Sequence, residues 1–115
     1  MYNLINVLTI KLTRAEQEVA RFLYLKMDIG FIKLGELKFY LENKGIYMGV
    51  DEIFDLLVYL VGKRFPVKYR SASFEFTLLG SVEKVNDIVK FHISPVVRSL
   101  IRDVKRQREK QLKSI

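Results

Sequence analysis

Few residues in this chain are equipped for covalent chemistry. It has 115 residues, one histidine (His92) and no cysteine. Disulfides, thiolate metal sites and cysteine nucleophiles are excluded. A serine nucleophile needs a base, and the only imidazole sits between Phe91 and Ile93. No glycine-rich phosphate loop of either common type is present. The carboxylates Asp51, Glu52 and Asp55 lie together, but without EF-hand spacing. They suit the positive end of a helix N-terminus better than a metal. We therefore expect no enzyme activity, no metal, no cofactor and no small-molecule substrate.

The residues that stand out are cations. The formal net charge is +7, and it is segregated. Residues 1–62 carry seven Lys/Arg against eight Asp/Glu, whereas residues 63–115 carry thirteen against five. A segregated excess of this kind points to a surface for a polyanion. Two clusters supply it. Lys63, Arg64, Lys68 and Arg70 fall within eight residues, interleaved with Phe65 and Tyr69. Arg98, Arg102, Lys105, Arg106 and Arg108, with Lys110 and Lys113, lie near the end. Long basic side chains on a hairpin reach phosphates or a minor groove.

These residues need a scaffold, and hydrophobic spacing outlines one. Thr13-Arg14-Ala15-Glu16 is a capping box. It opens a helix whose apolar positions are Ala15, Val19, Phe22, Leu23 and Met27, closing at Asp28 to Gly30. Phe31 to Lys33 reads as a short strand. Leu34 to Lys44 reads as a second helix with Gly45 at its left-handed cap. Val50 to Lys63 reads as a third, with a broad buried face that includes Val50 and Val58. Its expected exposed positions are Asp51, Glu52, Asp55 and Tyr59.

Phe65 to Leu79 alternates as a hairpin. Placing the turn at Arg70 to Ser73 pairs Tyr69 with Phe74, Val67 with Phe76 and Lys68 with Glu75, which sorts apolar from charged side chains. Val82 to His92 reads as a helix through Val82, Val85, Ile88 and Val89. Ser94-Pro95 starts a final helix, a serine cap followed by proline at the first position. Its stripe Val97, Leu100, Ile101 and Val104 has the spacing of a helix pair, and we expect it to form a homodimer. Residues 2–12 are apolar and compatible with a strand or a short helix.

The order helix, short strand, helix, helix, hairpin, C-terminal helices resembles a winged helix-turn-helix domain. Leu12 to Val19 looks like the opening of the first helix in MarR-like regulators, and small archaeal DNA-binding proteins share the plan. The resemblance implies a mainly α fold with a small β-hairpin (α+β). It also implies a winged-helix domain over 1–80 and a C-terminal helical extension over 81–115 in the same folding unit.

The function implied is binding of double-stranded DNA by a transcription regulator or architectural protein. Phosphates would meet the basic hairpin and the C-terminal helix. The third helix departs from the family pattern, because its acidic exposed positions would be repelled by phosphate. The alternative is a protein–protein interaction module using that acidic helix. No stretch reaches the ~18–20 apolar residues of a spanning helix. Met1 to Ile10 does not read as a signal peptide. The expected setting is the cytoplasm, in soluble form.

Overall fold

The computed structural model describes residues 12–69 and 72–99 of the chain. They form an α+β domain whose first helix, α1 (Arg14–Leu25), begins at the expected capping box. The Thr13 Oγ1 accepts from the Glu16 amide at 3.2 Å, and the Thr13 amide donates to Glu16 Oε1 at 2.9 Å. Each half of the box satisfies an amide that the helix itself leaves unpaired. Val19, Ala20, Phe22 and Leu23 form the buried face. The helix stops earlier than the apolar spacing implied. The chain then turns to Gly30, whose φ of +82° lies in the left-handed region.

β1 (Phe31–Lys33) is the expected short strand, and α2 (Leu34–Asn43) follows it without a loop. Leu34, Leu37 and Leu41 are buried. Gly45, at φ +78°, closes α2. Its amide donates to the Glu42 carbonyl at 3.0 Å, and the Ile46 amide donates to the Leu41 carbonyl at 2.9 Å. This pair of bonds is a Schellman cap, with Ile46 partly buried against the core.

α3 (Val50–Gly62) buries Ile53, Leu57 and Leu60 completely. Its buried face is narrower than expected, because Val50 is 39% exposed and Val58 48% exposed. Ile53, Leu57 and Leu60 point one way around the helix. Val58 lies off that stripe, whereas Val50 shares it but stands at the first position of the helix, where the core no longer covers it.

Two antiparallel sheets follow. β2 (Phe65–Tyr69) pairs with β3 (Ala72–Phe76), so the hairpin is where the alternation put it. Its register differs by two residues from the expected one. Phe65 pairs with Phe76, Val67 with Phe74, Lys68 with Ser73 and Tyr69 with Ala72. A slip of two preserves the face of every side chain, so alternation alone cannot exclude it. The observed register is anchored by burial of Phe65 against Phe76, with ring centroids 6.5 Å apart.

The helix expected over Val82 to His92 is absent. Those residues are β4 (Leu79–Val85) and β5 (Ile88–Ile93), joined by a turn at Asn86–Asp87. Asn86 has φ +59°, a conformation that asparagine tolerates better than most residues and that tight hairpins require. Val82, Val85, Ile88 and Val89 match a helical stripe, but four β-branched residues also favour strands. The deciding pattern is in β5, where Val89, Phe91 and Ile93 are buried and Lys90 and His92 exposed.

β5 is central in a three-stranded sheet of order β1-β5-β4. Residues 81–93 are therefore not part of a helical extension. Helix resumes only at Pro95, after Ser94 as expected, and the Ser94 carbonyl accepts from the Arg98 amide at 3.0 Å. The core joins all these parts through Leu23, Ile32, Leu37, Leu41, Ile53, Leu57, Leu60, Phe91 and Val97. Among the described residues no helix is long and apolar enough to cross a membrane.

The Gly45 cap yields a direct test. Nothing blocks a methyl group there beyond ordinary contact with the Arg14 side chain. The cost of Gly45→Ala is thus the left-handed backbone, about 1 kcal/mol. Urea unfolding should show a lower midpoint with an unchanged slope. An unchanged midpoint would contradict the assigned cap.

Candidate nucleic-acid interface

The basic cluster begins where α3 ends. Lys63 is the C-terminal cap residue, and its amide donates to the Tyr59 carbonyl at 2.9 Å. Its side chain and that of Arg64 are exposed. The Lys63 ammonium lies 5.3 Å from the Tyr59 ring centroid and 5.6 Å from that of Phe65. Two aromatic rings thus flank one cation. Hydrogen bonding to Tyr59, then the charge of its phenolate, pushes the Lys63 pKa up from its ordinary value.

The remaining expected site residues fare differently. Lys68 occupies the β2 register position opposite Ser73. Arg70, Arg102, Lys105, Arg106 and Arg108 lie outside the described residues, as do Leu100, Ile101 and Val104. Arg98 is partly buried, and its Nη2 donates to the Met27 carbonyl at 3.3 Å. That bond ties the start of the last helix to the turn after α1. Val97 was expected at a dimer seam, but it is fully buried in the core of its own chain. It has no surface left to offer a second subunit.

On α3 the structure places Asp51, Glu52, Asp55 and Tyr59 at exposed positions, as expected. Glu52 has a local task, since its Oε1 accepts from the Gly49 amide at 3.2 Å and caps the helix. Asp51 and Asp55 form no ion pair with another described residue. The described residues together carry twelve Lys/Arg against eleven Asp/Glu. The net positive charge thus resides largely in residues outside them.

Sequence reasoning did not single out the cations of the three-stranded sheet, because it read Lys33 only as part of a short strand and placed Lys84 and Lys90 on a helix. Lys33, Lys84 and Lys90 are all exposed on it. Lys84 extends toward α3, with its Nζ 5.4 Å from the Phe54 ring centroid. On the opposite face, Ser81 and His92 are paired across β4 and β5, with Oγ and Nδ1 3.0 Å apart. Recognising period-two alternation over Val89 to Ile93 would have found these residues.

A buried polar network was also missed. Glu18 is almost fully buried on α1. It accepts from Arg21 Nη1 at 2.6 Å and from the Tyr40 hydroxyl at 2.9 Å, linking α1 to α2. The Phe22 and Tyr40 rings pack beside this contact, with centroids 5.1 Å apart. Burial first, then the hydrogen bond and charge of Glu18, push the Tyr40 pKa up to about 12. Burial also pushes Tyr24 upward, and its hydroxyl has no hydrogen-bond partner among the described residues.

No family model matches the chain, and no curated protein or solved structure matches it significantly.

The raised tyrosine pKa values fix the sign of an alkaline effect. The unfolded chain loses these phenolic protons near pH 10, while folded Tyr40 holds its proton until about pH 12. Unfolding therefore releases protons in that window, and stability falls as pH rises through it. Thermal melts between pH 9.5 and 11.5 should show a falling midpoint. Tyr40→Phe should make the fall shallower, leaving the share due to Tyr24. An equal slope in parent and variant would contradict the network.

Proposed function

We propose that this chain is a winged-helix protein that binds double-stranded DNA through phosphate contacts. The element order α1-β1-α2-α3, followed after β2–β3 by a hairpin whose second strand pairs with β1, is compatible with the winged-helix plan. In this reading β4–β5 is the wing and β2–β3 is an additional hairpin between α3 and the wing. The observation that carries the proposal is the exposed pair Lys63 and Arg64 at the end of α3. Its first cation is flanked by Tyr59 and Phe65. The pair leads into β2, on which Lys68 follows.

Binding of this kind depends on counterion release and is steeply weakened by salt. Because Asp51, Glu52 and Asp55 are exposed, α3 is poorly suited to the major groove. The reading therefore assigns contacts to phosphates rather than to base edges. The basic residues of 98–113 would add to them, and the protein would act as a regulator or architectural protein. The same acidic exposure favours a second reading, a protein-interaction module that uses α3.

Titration of a labelled duplex at two salt concentrations tests both. Changing Lys63 and Arg64 to alanine should lower the slope of log affinity against log salt by roughly 1.8, at ~0.9 per phosphate contact. The weakening should be similar across sequences. Changing Asp51 and Asp55 to alanine, with the Glu52 cap left intact, should leave binding equal or tighter. A parent protein without salt-sensitive duplex affinity at low ionic strength would remove the DNA reading. Loss of a protein partner from the Asp51/Asp55 variant would favour the second.

The proposed homodimer now rests on Leu100, Ile101 and Val104, with Val97 removed. Replacing Leu100 and Ile101 with lysine should convert a dimer to a monomer in light scattering. A parent that is already monomeric at high concentration would contradict it.

A further inference from the structure

The three-stranded sheet has one face on the core and one in water. Register fixes which residues share the outer face. Phe31 pairs with Lys90, which pairs with Glu83, and Lys33 pairs with Ile88. Residues directly opposite on antiparallel strands project to the same side. Phe31, Lys33, Lys90 and His92 are all exposed, while Ile32, Val89 and Phe91 between them are buried. The outer face therefore displays an aromatic ring with cations beside it.

Phe31 is 49% exposed. A large apolar ring kept half in water on a regular strand contributes little to this chain's own core. Lys33 lies two residues along the same strand, and Lys90 is directly across from the ring. Neither forms an ion pair with a described residue, although Glu83 stands opposite Lys90. His92 is next along β5 on the same face, and its Nδ1 is engaged by Ser81.

We propose that this sheet face binds single-stranded nucleic acid, with a base stacked on Phe31 and neighbouring phosphates held by Lys33 and Lys90. Every base offers a π face to an aromatic side chain, whereas a duplex hides those faces in its own stack. The Lys33 and Lys90 ammonium groups are complementary to the phosphates of an extended strand. Glu83 can accept from an exocyclic amino group of a base. Three strands at ~4.8 Å spacing make a platform about 10 Å wide. Four-stranded sheets that bind this way stack two or three bases, so a site of about two nucleotides fits here. The inference is independent of duplex binding near Lys63 and Arg64, because the sheet face shares no residue with that cluster.

The test uses the full chain and fluorescein-labelled 12-residue DNA and RNA single strands at low salt. Fluorescence anisotropy should report binding of at least one of them. Phe31→Ala should weaken it about fivefold to hundredfold, the range for loss of one base–aromatic stack. Its duplex affinity should equal that of the parent. Changing Lys33 and Lys90 to alanine should lower the single-strand salt slope by roughly 1.4, at ~0.7 per contact. The chain has no tryptophan, so Phe31→Trp installs a unique reporter that keeps the platform. Its emission should change on saturation with an unlabelled strand. The proposal is overturned if neither strand binds, if Phe31→Ala binds like the parent, or if the tryptophan emission stays constant at saturation.

Discussion

Three residues make this chain one unit. Phe31, Ile32 and Lys33 pair with Lys90, Val89 and Ile88, which joins the segment between the first two helices to the last strand. The pairing is reinforced at both ends. The Phe91 amide donates to the Gly30 carbonyl at 3.0 Å, and the Leu34 amide donates to the Asp87 carbonyl at 2.8 Å. The second bond satisfies an amide of the first turn of α2, which has no side-chain cap of its own. Buried Ile32 and Val89 sit opposite each other inside this ladder. Without it, β4–β5 would be held to α1 to α3 by side-chain packing alone, with no backbone ladder to fix its position.

This constraint also explains what the sequence made legible. Features with local causes were readable from the residues. The capping box at Thr13, the left-handed Gly45 and the proline start at Pro95 each depend on a few neighbours. The stripe Ile53, Leu57 and Leu60 needs only helical geometry. The hairpin at 65–76 was visible as alternation, but its register was not. Two registers two residues apart present the same faces, and only the fit of Phe65 on Phe76 separates them.

What failed was non-local. Val82 to His92 looks helical when judged alone, and it becomes a hairpin because β1 supplies a partner almost sixty residues away in sequence. That one pairing turned the supposed extension into the sheet and moved Lys84 and Lys90 onto a strand surface. Val97 shows the same limit. Its spacing with Leu100, Ile101 and Val104 is that of a seam, yet the position is consumed by the chain's own core. Glu18 was equally hidden, because a charged residue on an amphipathic helix gives no sign that Tyr40 and Arg21 will enclose it.

The electrostatics of the fold narrow how any polyanion could approach. The described body is close to neutral, and its third helix turns Asp51 and Asp55 to solvent. An approach along α3 would therefore bring phosphates against carboxylates before reaching Lys63 and Arg64 at its far end. Repulsion between exposed groups is screened over about 10 Å at moderate salt. α3, at thirteen residues, is roughly 20 Å long. The acidic start and the basic end are thus separated by more than a screening length and act as distinct patches. A polyanion can engage the basic end without meeting the acidic start, provided it crosses α3 near Gly62 instead of lying along it. The geometry of the helix, more than its composition, decides whether its carboxylates oppose binding.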